Sequence, residues 1–397
     1  MKQNSVSIES FEISEDGKAI QAQLCEKIKQ EIVEQAGKIP FSSFMQMALY
    51  QPKLGYYQNN LHKFGEKGDF VTAPEMGASF AKCLANSIRD YLSSNSDKLN
   101  LLEIGAGSGI LVANLLDELE RLGALPNQYF ILEPSAELKA QQQQLLQDRQ
   151  KSYFKNIQWI SELPQNFYGV ILANEVIDAI PCERMIKRDN QWLRMGVSFK
   201  REKFVDCLLD EVDTAELPEE LKINGFTDDY PEGYRTEYRP LAKGWIKALS
   251  NSLEQGAILL VDYGYAETEL YHPQRTTGSL ACFIKHHSHS DPYQYVGLQD
   301  ITAHVDFTQV ARSAEEFLLE VEGYTTQAGF LLENGITEIS DKLDENETDE
   351  QRYKHSQELQ KLLMPGQMGE VIKVMLLSKD LEVEIKGFSL QDHLHRL

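Results

Sequence analysis

The stretch Leu101-Leu102-Glu103-Ile104-Gly105-Ala106-Gly107-Ser108-Gly109 constrains this chain more than any other. An apolar run with the composition of a strand enters three glycines at alternate positions. Helical periodicity then follows from Ile110 to Leu122. Glycine takes positive φ at little cost and lets the backbone approach a ligand closely. The first turn of the next helix presents N–H groups with no partner inside the helix. Strand, glycine turn and helix together predict the opening unit of a parallel α/β sheet with a ligand at the turn. A dinucleotide fingerprint needs glycine at the last place of G-x-G-x-x-G. That place is Ile110 here, which argues against hydride transfer.

The rest of the chain repeats the alternation. Strands are predicted at 99–104, 129–132, 157–160, 169–173 and 256–261, separated by helical patterns or by an insertion. Short apolar strands alternating with helices imply a doubly wound parallel sheet. Ligands of such sheets sit beyond the carboxyl ends of the strands. Glu103, Glu133, Asn174, Glu175 and Asp262 all fall at those ends. Before the sheet, an amphipathic helix is expected from Ala19 to Ala36, with Ile20, Leu24, Ile28 and Ile32 on one face. Ser42 or Ser43 reads as the N-cap of a helix ending at Tyr50, and another helix is expected from Gly77 to Leu92. Residues 183–208 alternate like β-hairpins. A long polar loop is expected up to about Thr302, and residues 371–377 read as a late antiparallel edge strand. The Gln141 to Gln144 run reads as an exposed helix face.

Composition narrows the partners. The formal net charge is -22 over 397 residues, which argues against a general nucleic-acid or anionic-membrane binder. Five cysteines without a C-x-x-C suit a reducing compartment. No apolar run reaches the length of a membrane span. The first Arg is Arg89, and Glu9, Glu12, Glu15 and Asp16 precede it, unlike an Arg-rich, acid-poor transit peptide. A cytoplasmic location is the expectation.

An acidic residue two before G-x-G-x-G fits the S-adenosylmethionine (SAM) turn of class I methyltransferases, placing Glu103, Gly105, Gly107 and Gly109 at the cofactor. Glu133, ending the second strand, suits a ribose: a carboxylate there accepts from both hydroxyls. Asn174-Glu175-Val176-Ile177-Asp178 follows the fourth strand. An arginine nitrogen stays protonated, so making it nucleophilic requires carboxylates that align the guanidinium and draw charge from the attacking nitrogen. Glu175 and Asp178 suit that task. Each also has a structural reading, Asp178 as a helix cap and Glu175 as the partner of a cation. His304, within Asp300 to Phe307, is a candidate general base or a structural histidine. His286, His287 and His289 lack a convincing set of further ligands, so no metal is expected.

In order along the chain, FMQMALYQPKLGYY, GDFVTAPE, EIGAGSG, ILEPS, ANEVIDAIP, LVDYG, DITAHVDF and LLMPGQMGEVIKV resemble the MidA family of class I SAM-dependent methyltransferases. The match runs from about Ile39 to Lys379. The resemblance implies a Rossmann-like doubly wound sheet with an N-terminal helical segment and an inserted or C-terminal mixed lobe. It implies SAM as cofactor and places Asp69, Thr72, Pro74 and Glu75 in a loop covering cofactor or substrate. The family includes a mitochondrial complex I assembly factor that methylates arginine, so the resemblance implies a protein substrate, a complex I subunit in those mitochondrial members. On this reading residues 1–97 form the helical and cofactor-covering segment, and 98–182 with 237–265 the SAM-binding core. Residues 183–236 form an inserted β-rich lobe and 266–397 a C-terminal substrate lobe. A small-molecule O- or N-methyltransferase and a catalytically silent SAM-binding assembly chaperone remain alternatives.

Overall fold

The computed structural model describes residues 13–61, 72–95, 98–341 and 348–397. The chain divides into two compact units, each assembled from separated segments: residues 71–178, 242–270 and 304–397 in one, and 1–70, 179–241 and 271–303 in the other. The division differs from the one expected. Residues 304–397 belong with the glycine turn, whereas 271–303 join the N-terminal segment and the insertion.

The larger unit holds the sheet. Its strands are β1 (Asn100–Ile104), β2 (Tyr129–Leu132), β3 (Ile157–Ile160), β4 (Phe167–Asn174), β5 (Leu253–Tyr265), β6 (Val305–Asp306), β7 (Glu320–Thr326) and β8 (Ile372–Lys379). Their order across the sheet is β7-β8-β5-β4-β1-β2-β3, with β6 pairing the end of β5. The five strands from β5 to β3 run parallel, and β8 runs antiparallel to both its neighbours. The expected doubly wound α/β sheet is therefore present. β8 differs from expectation in one respect: it lies inside the sheet, and β7 forms the edge. Seven of its eight residues are buried, which an inner position requires.

Helix α1 (Ile110–Leu122) packs Leu111, Leu115, Leu116 and Leu119 against the sheet. It is bounded by two left-handed glycines, Gly109 at φ 84° and Gly123 at φ 68°. Helix α2 (Ala136–Arg149) begins at Ser135, whose hydroxyl accepts from the Leu138 N–H.

In the smaller unit, Glu183–Arg188, Gln191–Lys200 and Lys203–Glu211 form the expected hairpins, extended by Ile39–Pro40 and Arg235–Tyr238. The helix Glu15–Glu34 starts earlier than predicted, because Ser14 caps it through the Gly17 N–H. The helix Phe41–Tyr50 starts directly after Pro40, with no serine cap; Ser42 instead donates to Glu183. The expected polar loop contains a three-stranded antiparallel sheet, in which His289 lies on a strand and His286 in a tight turn at φ 62°.

Two glycines fix the spacing of the inner strands. Gly169 (φ 139°) faces Asn100 and Gly256 (φ 138°) faces Gly169 across neighbouring strands. A Cβ on Gly169 would sit 1.9 Å from the Asn100 carbonyl oxygen. Gly169→Ala is expected to cost about 2–4 kcal/mol, from left-handed strain and backbone displacement combined. Urea unfolding of the two proteins checks this, and an unchanged midpoint would refute it.

Candidate functional site

The carboxyl ends of β1, β2, β4 and β5 bring the candidate residues of the larger unit to one edge. The glycine turn takes the geometry its sequence requires. Gly105, Gly107 and Gly109 have φ of 69°, 53° and 84°. A Cβ on Gly109 would come within 3.1 Å of Gln142. Between these glycines, Ser108 donates its hydroxyl to Glu75. Glu75 thus lies against the turn, on the short helix Ala73–Met76 with buried Pro74 beside it and Thr72 just before. Burial raises the Glu75 pKa, partly offset by the Ser108 hydrogen bond. Asp69 lies outside the described residues.

Glu133 directly follows β2 and is 8 % exposed. One oxygen accepts from the Ser135 N–H and the other from Gln142 Nε2 at 3.0 Å. Gln142 also donates to the Gly107 carbonyl at 2.8 Å and accepts from Trp159 Nε1 at 2.9 Å. This glutamine ties the glycine turn to the strand-end carboxylate. The expectation of an exposed polar face fails at this position, since Gln142 is fully buried while Gln141, Gln143 and Gln144 are not. A run of identical residues conceals which one faces inward.

Glu103 takes a different place from the one its motif suggested. It is buried inside the unit and accepts a hydrogen bond from the Tyr129 hydroxyl. Desolvation raises its pKa to about 7, with the Tyr129 bond opposing and the Glu133 charge adding to the rise.

The loop after β4 is held by a single side chain. Asp262, 1 % exposed, accepts from the backbone N–H groups of Val176, Ile177 and Asp178 at 3.1, 2.8 and 3.3 Å through one oxygen. Its other oxygen accepts from the Tyr263 N–H at 2.8 Å. The Glu175 N–H donates to the Val261 carbonyl, and Glu175 itself adopts φ 52°. A non-glycine residue there is strained, and such strain concentrates at functional positions. Asn174 Nδ2 donates to Glu175 Oε1 at 3.3 Å, while Asn174 Oδ1 is buried without a partner. Burial, followed by the charges of Glu175, Asp178 and Asp262, drives the Tyr263 pKa far upward. The Glu175 and Asp178 charges are thus close enough to Tyr263 to disfavour its ionisation. The sequence reads Asp262-Tyr263-Gly264 as a candidate rim of the site or an ordinary strand exit, and gives no signal of the anchoring role of Asp262.

His304 immediately precedes β6, which pairs with Gly264 and Tyr265 at the end of β5. Its ring packs on Tyr265 with centroids 5.3 Å apart. The Lys373 ammonium lies over the Tyr265 ring, 5.3 Å from its centroid. Among the described residues, no cluster of three or more His, Cys, Asp or Glu side chains could hold a metal ion.

Left-handed glycines, a buried strand-end carboxylate and an unpartnered Asn174 oxygen form an edge that fits an adenosyl cofactor with a polar amino-acid tail. Fold and edge together define a SAM-binding class I enzyme. A family model for S-adenosyl-L-methionine-dependent methyltransferases matches residues 83–325, and the chain belongs to that family. The MidA resemblance is upheld by the same comparisons. Protein arginine methyltransferase NDUFAF7, mitochondrial, of Danio rerio is 27% identical over 365 residues, 84% of this chain and 82% of that protein. The Xenopus laevis protein of the same name is 28% identical, covering 86% and 81%. A Burkholderia thailandensis crystal structure bound to S-adenosyl-homocysteine superposes with a TM-score of 0.91 at 34% identity, covering 98% of this chain and all of that one. The chain is a methyltransferase and SAM is its cofactor. The expected cytoplasmic location is overturned by the curated relatives, which are named mitochondrial. No helix among the described residues is long and apolar enough to cross a membrane.

Two outcomes follow. Gln142→Leu leaves the Gly107 carbonyl and Glu133 each short of a donor, so it should cost about 1–3 kcal/mol of stability. It should also weaken S-adenosyl-homocysteine binding roughly tenfold, since 1.4 kcal/mol is a factor of ten; calorimetric titration reads the second effect. Glu103 titrates near 7 when folded and near 4.5 when free. The folded state therefore holds the extra proton between those values, and stability falls as pH rises across that window, by about 3 kcal/mol. Glu103→Gln should abolish this fall in cofactor-free protein, as denaturant melts at pH 5 and pH 8 would show.

Proposed function

We propose that the enzyme transfers the SAM methyl group to an arginine side chain of a protein, with a respiratory complex I subunit as the candidate acceptor. The observation that carries this reading is a pair of carboxylates, Glu175 and Asp178, on the loop whose backbone amides Asp262 anchors. The naming of the curated relatives as protein arginine methyltransferases supports it.

On this reading Gly105, Gly107 and Gly109 cradle the cofactor, Glu133 accepts from its ribose, and Asn174 faces its polar tail. Thr72, Pro74 and Glu75 cover it. Bound SAM supplies a methyl carbon made electrophilic by its sulfonium. Glu175 and Asp178 grip the guanidinium and localise its positive charge away from the attacking nitrogen. That nitrogen forms the N–C bond as the S–C bond breaks, and the electron pair stays on sulfur. The methylated guanidinium gives its surplus proton to His304, acting as general base. The product keeps one positive charge.

The test is transfer from isotope-labelled SAM into a lysate of the native host lacking this gene, followed by acid hydrolysis and mass spectrometry. Label is expected on arginine. Glu175→Gln should lower the rate roughly 10²–10³-fold, the scale for losing one electrostatic contact to the reacting group, while leaving SAM affinity unchanged. Label confined to small molecules would overturn the reading, as would SAM binding without any transfer.

A further inference from the structure

One stretch of the smaller unit carries a charge balance opposite to that of the chain as a whole. The net charge is -22, yet residues 183–206 contain seven Lys or Arg against four Asp or Glu. Their strands, with the turn at residues 36–38, line a groove of about 630 Å³. Lys38, Arg188, Lys200 and Arg235 line it, and Asp206 is its one acidic residue.

That acidic residue is already committed. Asp206 accepts from Arg184 at 2.8 Å and from the Tyr293 hydroxyl at 2.7 Å, and Arg235 lies 3.8 Å away. Lys38 reaches only the neutral carbonyl of Leu208. Arg188 and Lys200 are exposed and form no ion pair among the described residues. At the groove, Ser198 is 3 % exposed and its hydroxyl has no partner. The groove is thus lined by four cations against one carboxylate that is already engaged.

We propose that this groove binds an acidic peptide segment of a partner protein. Lys38, Arg188 and Lys200 would pair with Asp or Glu side chains, the arginine with a carboxylate in two-point contact. A short acidic segment fits the local field. A long polyanion such as nucleic acid would run beyond it onto acidic surface, where it is repelled. The proposal is independent of which residue the enzyme methylates.

The test uses the full chain and a fluorescein-labelled ten-residue polyglutamate peptide, read by anisotropy. Saturable binding is expected at 50 mM salt, weakening several-fold at 300 mM through screening. Arg188→Glu combined with Lys200→Glu should raise the dissociation constant about tenfold or more. Arg188→Lys with Lys200→Arg should retain most of the affinity. Both positions are exposed and unpaired, so the thermal midpoint and SAM binding should stay unchanged in each variant. No binding by the parent protein, or equal binding by the charge-reversed one, would overturn the proposal. Equally tight binding of a single-stranded oligonucleotide of the same charge would overturn the peptide assignment in favour of nucleic acid.

Discussion

One buried carboxylate organises the loop that closes the central strand of the larger unit. Asp262 gathers three consecutive amides from the loop after β4 and a fourth from its own neighbour. Hydrogen bonds to an ionised acceptor are about twice as strong as neutral ones. Burying a charge is costly unless it is well satisfied, so this loop conformation and this aspartate stabilise each other. The left-handed backbone at Glu175 persists because the anchor and the Val261 carbonyl leave it no relaxed alternative. The acidic loop is thus rigid before any substrate arrives. Preorganisation of that kind is what electrostatic catalysis needs, since the groups need not reorganise as charge moves.

A second network does the same for the cofactor side. Gln142 joins Gly107, Glu133 and Trp159 through its one amide. The glycine turn is therefore not an independent loop. Its shape is coupled to β2, β3 and α2, so a disturbance in the packing of α2 reaches the cofactor edge without touching it.

Much of this was legible in the sequence, because local rules dominate where backbone geometry is extreme. Three glycines at alternate positions between strand and helix leave few alternatives, and all three take positive φ. The polar residues that close the apolar strands are gathered at one edge of the sheet, as their strand-end positions require. What escaped was decided by contacts distant in sequence. Asp262 serves a loop 84 to 86 residues away, and nothing in Asp-Tyr-Gly announces that. Glu103 carries the motif's acidic character but turns towards Tyr129, because its place on β1 faces the buried layer. Gln142 was hidden among identical neighbours. The discontinuous smaller unit was invisible because its hairpins, N-terminal helices and three-stranded sheet are joined only by tertiary packing.

The position of β8 has a consequence for how the molecule is made. In space it lies between β5 and β7; in sequence it follows both. Until it emerges, β5 has an open edge of hydrogen-bonding groups on that side, and β7 has no partner in the sheet. Exposed edges are templates for pairing with other chains, and pairings between distant segments form slowly. Synthesis therefore passes through a long interval in which the cofactor half is complete up to β5 and unsealed beyond it. The closing strand acts as a final keystone, and a nascent chain that stalls before it is the form most exposed to aggregation and proteolysis.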